Sequence, residues 1–322
     1  MRKLLGDTRL IFKCCSLYYK DGMGQKAICE RLGISRPTVS RLLTEGRETG
    51  IVKIVITNPD NALYGEMEHE LELKYDLQEV IITDAAPLEQ GTKYINSLLG
   101  RATLQFLSRV LVPNSTVGVT MGMTLQNVVR SDYPVNEIHS VTFVPLCGGV
   151  DESRNDVLSN SLAQEFAVRF GGKSVQFFSP ALFSKHSVME NFMKEYANRN
   201  IRHLFQHLDI ALMGIGVLDK RHSTMLQNGY IDLETAERFE RTGAVGDIAL
   251  RYFNKEGQTE PFHDLNERVS GISLDELIRV PRRIGIAGGT HKADAVLGAI
   301  HGKFINILIT DIACAEKLLA EE

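Results

Sequence analysis

A chain of 322 residues with 43% hydrophobic and 24% charged side chains has ordinary globular composition and can form two domains of unequal size. No stretch approaches the ~20 apolar residues of a membrane helix, so no membrane partner is expected and the expected compartment is the cytoplasm. Five cysteines without a CxxC argue against a disulfide framework or a structural zinc site, and no metal is expected.

The net charge of −4 is unevenly spread: residues 1–57 hold 11 Lys+Arg against 5 Asp+Glu, a formal +6, which leaves −10 for residues 58–322. A basic head on an acidic body is the electrostatic footprint of a DNA reader joined to something else. Within the head, Asp7 can cap a helix running to about Lys20, with Leu10, Cys14 and Leu17 inward. QKAICERLGISRPTVSRLLT, Gln25 to Thr44, then reads as helix, turn and helix. Ile28, Cys29 and Leu32 share one face, and Val39, Leu42 and Leu43 share another. Gly33 supplies the left-handed C-cap, Ser35 an N-cap, and Pro37 falls in the first turn, where its missing amide proton costs nothing.

This is the spacing of a DNA-reading helix-turn-helix, with Cys29 where a small residue lets the helices approach. Ser35, Arg36, Pro37, Thr38, Ser40, Arg41 and Thr44 form its candidate DNA-binding surface. Its hydroxyls and guanidiniums suit phosphates and base edges, and no carboxylate interrupts it. Ile51 to Thr57 alternates like a strand, and Asn58, Pro59 and Asp60 break it. The domain boundary is placed there: 1–57 for the head, 58–322 for the body.

The body opens with a charged helix over 61–76, whose narrow stripe of Leu63, Met67, Leu71 and Lys74 could pack on the body or on a partner chain. Strand 78–83 and a helix from about Leu88 to Leu111 follow, the helix carrying Tyr94, Leu98, Ala102 and Phe106 on one face. Strands are then expected at Thr116–Thr120, Val141–Leu146, Ser174–Phe178, Ile210–Ile215, Arg283–Ala287 and Phe304–Thr310. Helices fill 124–130, 158–170, 187–206, 291–300 and 311–320. That alternation predicts an α/β fold, a Rossmann-like, mostly parallel sheet covered on both faces.

Ligands of such sheets collect at the C-terminal strand ends. VGVTMGMTL (117–125) brings Gly122 and Thr124 before a helix, where backbone amides and helix polarity favour an anion. IGIAGGTHKADAVLGA (284–299) places the Gly288-Gly289-Thr290 turn ahead of Lys292. It is neither a GxxxxGK[ST] nor a GxGxxG loop. LCGGV (146–150) ends another strand, and Asp247 beside Gly246 suits accepting hydroxyls, or capping a turn. His291 is a ligand donor or a surface residue.

Taken together, these segments make the chain resemble the SorC family of bacterial sugar-responsive transcriptional regulators. The matching runs are LYYKDGMGQKAICERLGISRPTVSRLLTEGRETGIVKI, VGVTMGMTL, VPLCGGV, DIALMGIG, GAVGDIALRYFN and GIAGGTHKADAVLGAIHGKFINILITDIACAEKLL, in the family's order. The resemblance implies a body similar in fold to sugar-phosphate isomerases and deaminases. It implies double-stranded operator DNA as partner, and a homo-oligomer, a tetramer arranged as a dimer of dimers. It also implies no cofactor, with a phosphorylated sugar as effector. Carried over by motif, effector contacts fall at Gly122, Met123 and Thr124, at Cys147 and Gly148, at Asp247, and at Gly289, Thr290, His291 and Lys292. Met121, Met123 and Cys147 depart from the family's usual residues. Losing a cationic contact at Cys147 favours one phosphate or an uncommon sugar. The weaker alternative is an active isomerase or deaminase with a DNA-binding head, Asp247 serving as base and His291 as helper.

Overall fold

The computed structural model describes residues 7–54, 63–84, 91–149, 157–218, 223–227 and 229–321, with the backbone alone for 91–96, 224 and 227. The chain divides into two compact units, Met1–Leu63 and Tyr64–Glu322. The expected boundary at Asn58–Asp60 lies outside the described residues.

In the first unit Asp7 caps α1 (Thr8–Cys15), its carboxylate accepting the amides of Arg9 at 3.0 Å and Leu10 at 3.3 Å. A π-helical turn, Ser16–Lys20, continues it. α2 (Gln25–Leu32) ends at Gly33, whose φ of 66° is the left-handed C-cap its position calls for. α3 spans Arg36–Glu48, with Pro37 in its first turn. Ser35 stands at the N-cap, but its hydroxyl bonds that of Thr38 at 2.8 Å instead of a backbone amide. Ile11, Cys14, Cys15, Leu17, Ile28, Val39, Leu42 and Leu43 form the core.

One expectation for this unit changes, and one contact is added to it. A tight helix contact that the sequence did not flag is at Gly46, where α3 meets α1. A Cβ at Gly46 would stand 2.3 Å from Cys15 Sγ, whereas Cys29 is half-buried at the core's edge. Residues 51–54, the described part of the expected 51–57 run, form no strand, and no strand among the unit's described residues offers them a ladder; 55–57 lie outside the described residues. Val52 instead returns its amide to the Gly46 carbonyl at 2.8 Å, and Ile51 and Val52 cover the core. Gly46→Val is therefore expected to destabilise the head by about 1–3 kcal/mol through overpacking. Cys29→Ala should change it by less than about 1 kcal/mol. Urea unfolding of the full chain checks both.

The second unit carries seven parallel strands: β1 (Glu79–Thr83), β2 (Thr116–Val119), β3 (Thr142–Pro145), β4 (Lys173–Ser174), β5 (Ile210–Gly214), and, after the hairpin β6 (Ala244–Ile248) and β7 (Arg251–Asn254), β8 (Arg282–Ile286) and β9 (Ile307–Asp311). Their order is β1-β9-β8-β5-β2-β3-β4. Helices α4 (Gly65–Tyr75), α5 (Gly91–Val110), α6 (Met123–Val129), α7 (Ser159–Phe170), α8 (His186–Lys194) and α9 (Arg199–Phe205) precede β5. After it come α10 (Thr224–Gln227), α11 (Leu233–Arg241), α12 (His263–Asn266), α13 (Leu274–Leu277), α14 (Ala293–His301) and α15 (Ile312–Ala320). Strands buried on both faces read as continuous apolar runs: Ala211 and Met213 of β5 enter one core cluster, Ile210 and Leu212 the other.

Local competition explains the departures. β4 is only Lys173–Ser174 and keeps one residue, Ser174, of the expected Ser174–Phe178, because the Asn160 side chain takes both the amide and the carbonyl of Phe177, at 2.8 and 3.0 Å. The helix expected over 187–206 breaks where Glu195 turns extended, and Asn198 Nδ2 donates to the Phe192 carbonyl at 2.7 Å. The buried stripe of α5 runs through Leu99, Thr103 and Phe106, since Gly100 presses on α6: a Cβ there would lie 2.9 Å from the Asn127 carbonyl. α4 packs on the body, with Leu71 fully buried and Leu63 at 72% exposure.

The β6–β7 hairpin departs from turn rules. Its two-residue loop is Ala249-Leu250, with φ of 48° and 67°. Positive φ at both positions marks a type I′ turn, which favours Asn-Gly; an L side chain there costs about 1–2 kcal/mol per residue.

Candidate functional site

On the head, Arg36, Pro37, Ser40 and Arg41 are exposed along α3, beside Ser35, while Val39, Leu42 and Leu43 turn into the core. Thr38 and Thr44 are half-buried at the margins, and Arg47 donates to the Thr44 hydroxyl at 3.3 Å. The seven sequence-predicted residues thus share one outward strip whose full charges are the guanidiniums of Arg36 and Arg41.

In the body the chain winds from β2 out through β3 and β4, then returns to β5 beside β2 and winds the other way through β8 and β9. That reversal opens a crevice at the C-terminal ends of β2 and β5. Its floor is the Gly214-Ile215-Gly216 bend, and three elements converge on it. From the β2 loop, Thr124 lies over Gly214, where an added Cβ would come within 3.3 Å of its own Cβ. From β6, the Asp247 carboxylate covers Gly216, leaving 2.0 Å for a Cβ. From the turn after β8, Lys292 Nζ donates to the Ile215 carbonyl at 2.6 Å.

The hairpin is docked on this floor, because Gly216 N donates to the Asp247 carbonyl at 2.9 Å. Asp247 is 7% exposed, and Oδ1 has no hydrogen-bond partner. Burial pushes its carboxyl from an ordinary 3.8 up to about 6; the Lys292 charge and the Leu250 amide act against that rise.

The glycine amides are less available than the sequence suggested. Gly122 N donates to the Val157 carbonyl at 2.9 Å and Gly148 N to the Ser270 carbonyl at 3.2 Å. Gly289 N meets Asp311 Oδ2 at 2.9 Å. Cys147 is buried, its thiol 3.0 Å from the Ser159 hydroxyl, and burial raises its pKa. Met123 is 52% exposed on the outer side of its turn. Thr290 and His291 are exposed, the His291 ring lying across Gly289. The structure therefore brings together Thr124, Asp247 and Lys292, and sets the other candidates around them.

Sequence reasoning missed Gly214 and Gly216, which read as an ordinary strand end. It also missed Asp311, fully buried, whose second oxygen caps α15 through Cys314 N at 2.9 Å. His203 and His207 have HxxxH spacing, and their rings lie tilted at 38° with centroids 4.2 Å apart. No group of three or more metal-ligating side chains occurs among the described residues. No described helix is long and apolar enough to cross a membrane.

A helix-turn-helix unit followed by a Rossmann-like body with a rim crevice defines a ligand-responsive transcriptional regulator. Residues 62–320 match the family model described as "Putative sugar-binding domain". The sorbitol operon regulator of Klebsiella pneumoniae is 31% identical over 97% of this chain and 98% of that protein. The deoxyribonucleoside regulator of Bacillus subtilis (strain 168) is 30% identical over 97% of each. The crystal structure of the full-length sorbitol operon regulator from Klebsiella pneumoniae shares 32% identity at a TM-score of 0.71, covering 97% of this chain and 99% of that one. The chain belongs to the SorC family of transcriptional regulators; it is a regulator and not an enzyme.

Proposed function

We propose that the chain regulates a carbohydrate-utilisation operon, and that a phosphorylated sugar in the β2/β5 crevice sets its hold on operator DNA. The observation that carries this reading is the convergence of a cation, a buried carboxylate with an unpartnered oxygen, and a hydroxyl on the two glycines flanking Ile215 at the end of β5. Lys292 attracts the phosphate, Asp247 accepts sugar hydroxyls, and Thr124 adds a donor or acceptor. Gly122, Met123, Cys147, Gly148, Gly289, Thr290 and His291 shape the rim. On the head, Ser35, Arg36, Pro37, Thr38, Ser40, Arg41 and Thr44 face the major groove. The protein works in the cytoplasm as a homo-oligomer, a tetramer of paired dimers, so that heads meet half-sites about 10 base pairs, or a multiple, apart. The ligand acts by binding one arrangement of the body better than another.

A thermal-shift screen against hexose and pentose monophosphates tests the reading. A ligand at a hundred times its dissociation constant adds about 2.7 kcal/mol of stability. Lys292→Ala is expected to weaken the binding sugar phosphate about 10- to 150-fold, the worth of a charge-assisted hydrogen bond. An undiminished shift in that variant would take the β8 turn out of the site.

A further inference from the structure

At the end of β5 away from the crevice, two imidazoles are set side by side. His203 lies in the last turn of α9 and His207 in the turn that leads into β5, and both are exposed. The four-residue spacing puts them on one face, as in helical motifs where two histidines share a metal ion. Their ring centroids are 4.2 Å apart. Two nitrogens each bound at about 2.0–2.1 Å to one tetrahedral ion stand roughly 3 Å apart, so a small rotation of exposed rings presents them correctly.

The way α9 ends also fixes the proton on His207. The His207 amide tightens onto the Leu204 carbonyl at 3.0 Å, so the His203 carbonyl is left to the Gln206 amide at 3.2 Å and to His207 Nδ1 at 2.8 Å. A carbonyl can only accept. Neutral His207 therefore carries its hydrogen on Nδ1 and keeps a bare lone pair on Nε2. Metal-binding histidines are oriented in this way, one nitrogen anchored to a carbonyl and the other given to the ion. His203 borders a groove of about 530 Å³ that Tyr196, Ala197, Arg199 and Asn200 also line, which gives room for coordinating water. The Arg199 guanidinium in that groove opposes any cation, so affinity has to come from coordination by nitrogen. That selects Cu²⁺, Ni²⁺ or Zn²⁺ over Mg²⁺ and Ca²⁺, which prefer oxygen ligands.

We propose that His203 and His207 form a two-histidine site for a late first-row divalent transition-metal ion, where α9 turns into β5. It is a solvent-open chelate completed by water, not the closed structural site that the cysteine pattern argues against. The effector reading plays no part in it, since the crevice lies at the opposite end of β5.

Isothermal titration of Ni²⁺ into the untagged full chain tests this. The parent is expected to bind one Ni²⁺ per chain at this site, Cu²⁺ more tightly and Mn²⁺ more weakly, with no competition from Mg²⁺. Changes to the partners of a metal ligand alone cost about 10- to 100-fold in affinity, so His203→Gln and His207→Gln should each weaken Ni²⁺ binding at least about 10-fold. Both positions are exposed, so the fold should tolerate the change. The rival histidine is His263, whose Nε2 lies 3.1 Å from a Glu267 carboxylate oxygen. His263→Gln should leave Ni²⁺ affinity as it is. In the Cu²⁺-loaded parent, electron paramagnetic resonance should show splitting from two nitrogens, and from one in either single variant. Ni²⁺ binding no tighter in the parent than in the His203→Gln/His207→Gln double variant would overturn the proposal, as would binding that disappears with His263. Failure of the sugar-phosphate panel would leave these readouts intact.

Discussion

Asp247→Asn is expected to make the protein more stable at pH 7.5 and deaf to its effector. The folded chain keeps the Asp247 proton up to about pH 6, whereas an ordinary carboxyl releases it near 3.8. Between those values the native state binds more protons than the unfolded one, so stability is greatest below the lower value and falls as pH rises towards 6. Two units at about 1.4 kcal/mol each set an upper bound of about 3 kcal/mol on the penalty carried at neutral pH. Asparagine cannot ionise, and after allowing for its own amide the gain should be about 1–3 kcal/mol, or about 2–6 °C in Tm. Scanning calorimetry at pH 4.5 and 7.5 checks the sign: the variant's advantage should shrink at the lower pH. Sugar-phosphate binding should fall in the parent below about pH 6, as the acceptor is protonated, and should be lost in the variant at every pH. A variant less stable than the parent at pH 7.5 would mean that Asp247 serves the fold instead.

The second large effect belongs to the head. Arg36 and Arg41 are exposed on one strip of α3 with no carboxylate between Ser35 and Thr44. An arginine bidentate to guanine is worth about 1–3 kcal/mol of discrimination, and one clamping a phosphate adds salt dependence. Replacing both by alanine should therefore cost about 2–6 kcal/mol of operator affinity with the fold intact. Fluorescence anisotropy at two salt concentrations separates the roles. A base-reading arginine, once lost, relaxes sequence preference. A phosphate-clamping one weakens all sequences alike and lowers the salt slope by about one. Full affinity in the double variant would remove α3 as the reading helix.

The gross architecture was legible because periodicity carries it. The strand expected at 78–83 is β1 at Glu79–Thr83, and the one expected at Ile210–Ile215 is β5 at Ile210–Gly214. β5 is buried along most of its length and β1 at alternate residues, and both appear as short apolar runs. The β6–β7 hairpin was not legible, since Ala249-Leu250 violates the turn chemistry by which hairpins are recognised. Nor was the head's tight contact: glycine inside a helix reads as a weak point, and only the fold shows Cys15 arriving at Gly46. In the crevice, Lys292 and Asp247 could be singled out because charge beside glycine is conspicuous. The glycines beneath them could not, because their part is to carry no side chain. The amides offered by Gly122, Gly148 and Gly289 illustrate the opposite error, for a sequence shows a donor but not the acceptor already occupying it.

One seam in the body reaches further than its size suggests. Lys74 Nζ donates to the Leu318 and Leu319 carbonyls at 3.4 and 2.9 Å, and the Tyr75 hydroxyl to Leu318 at 2.6 Å. These bonds bolt α4, the first helix of the second unit, to the tail of α15. The head of α15 is Asp311, whose carboxylate holds the Gly289 turn. Nine residues of helix, a rod about 13 Å long, thus have the Gly289 turn at one end and α4 at the other. Trimming the chain after Lys317 would remove these acceptors while leaving Asp311 and the Gly289 turn in place.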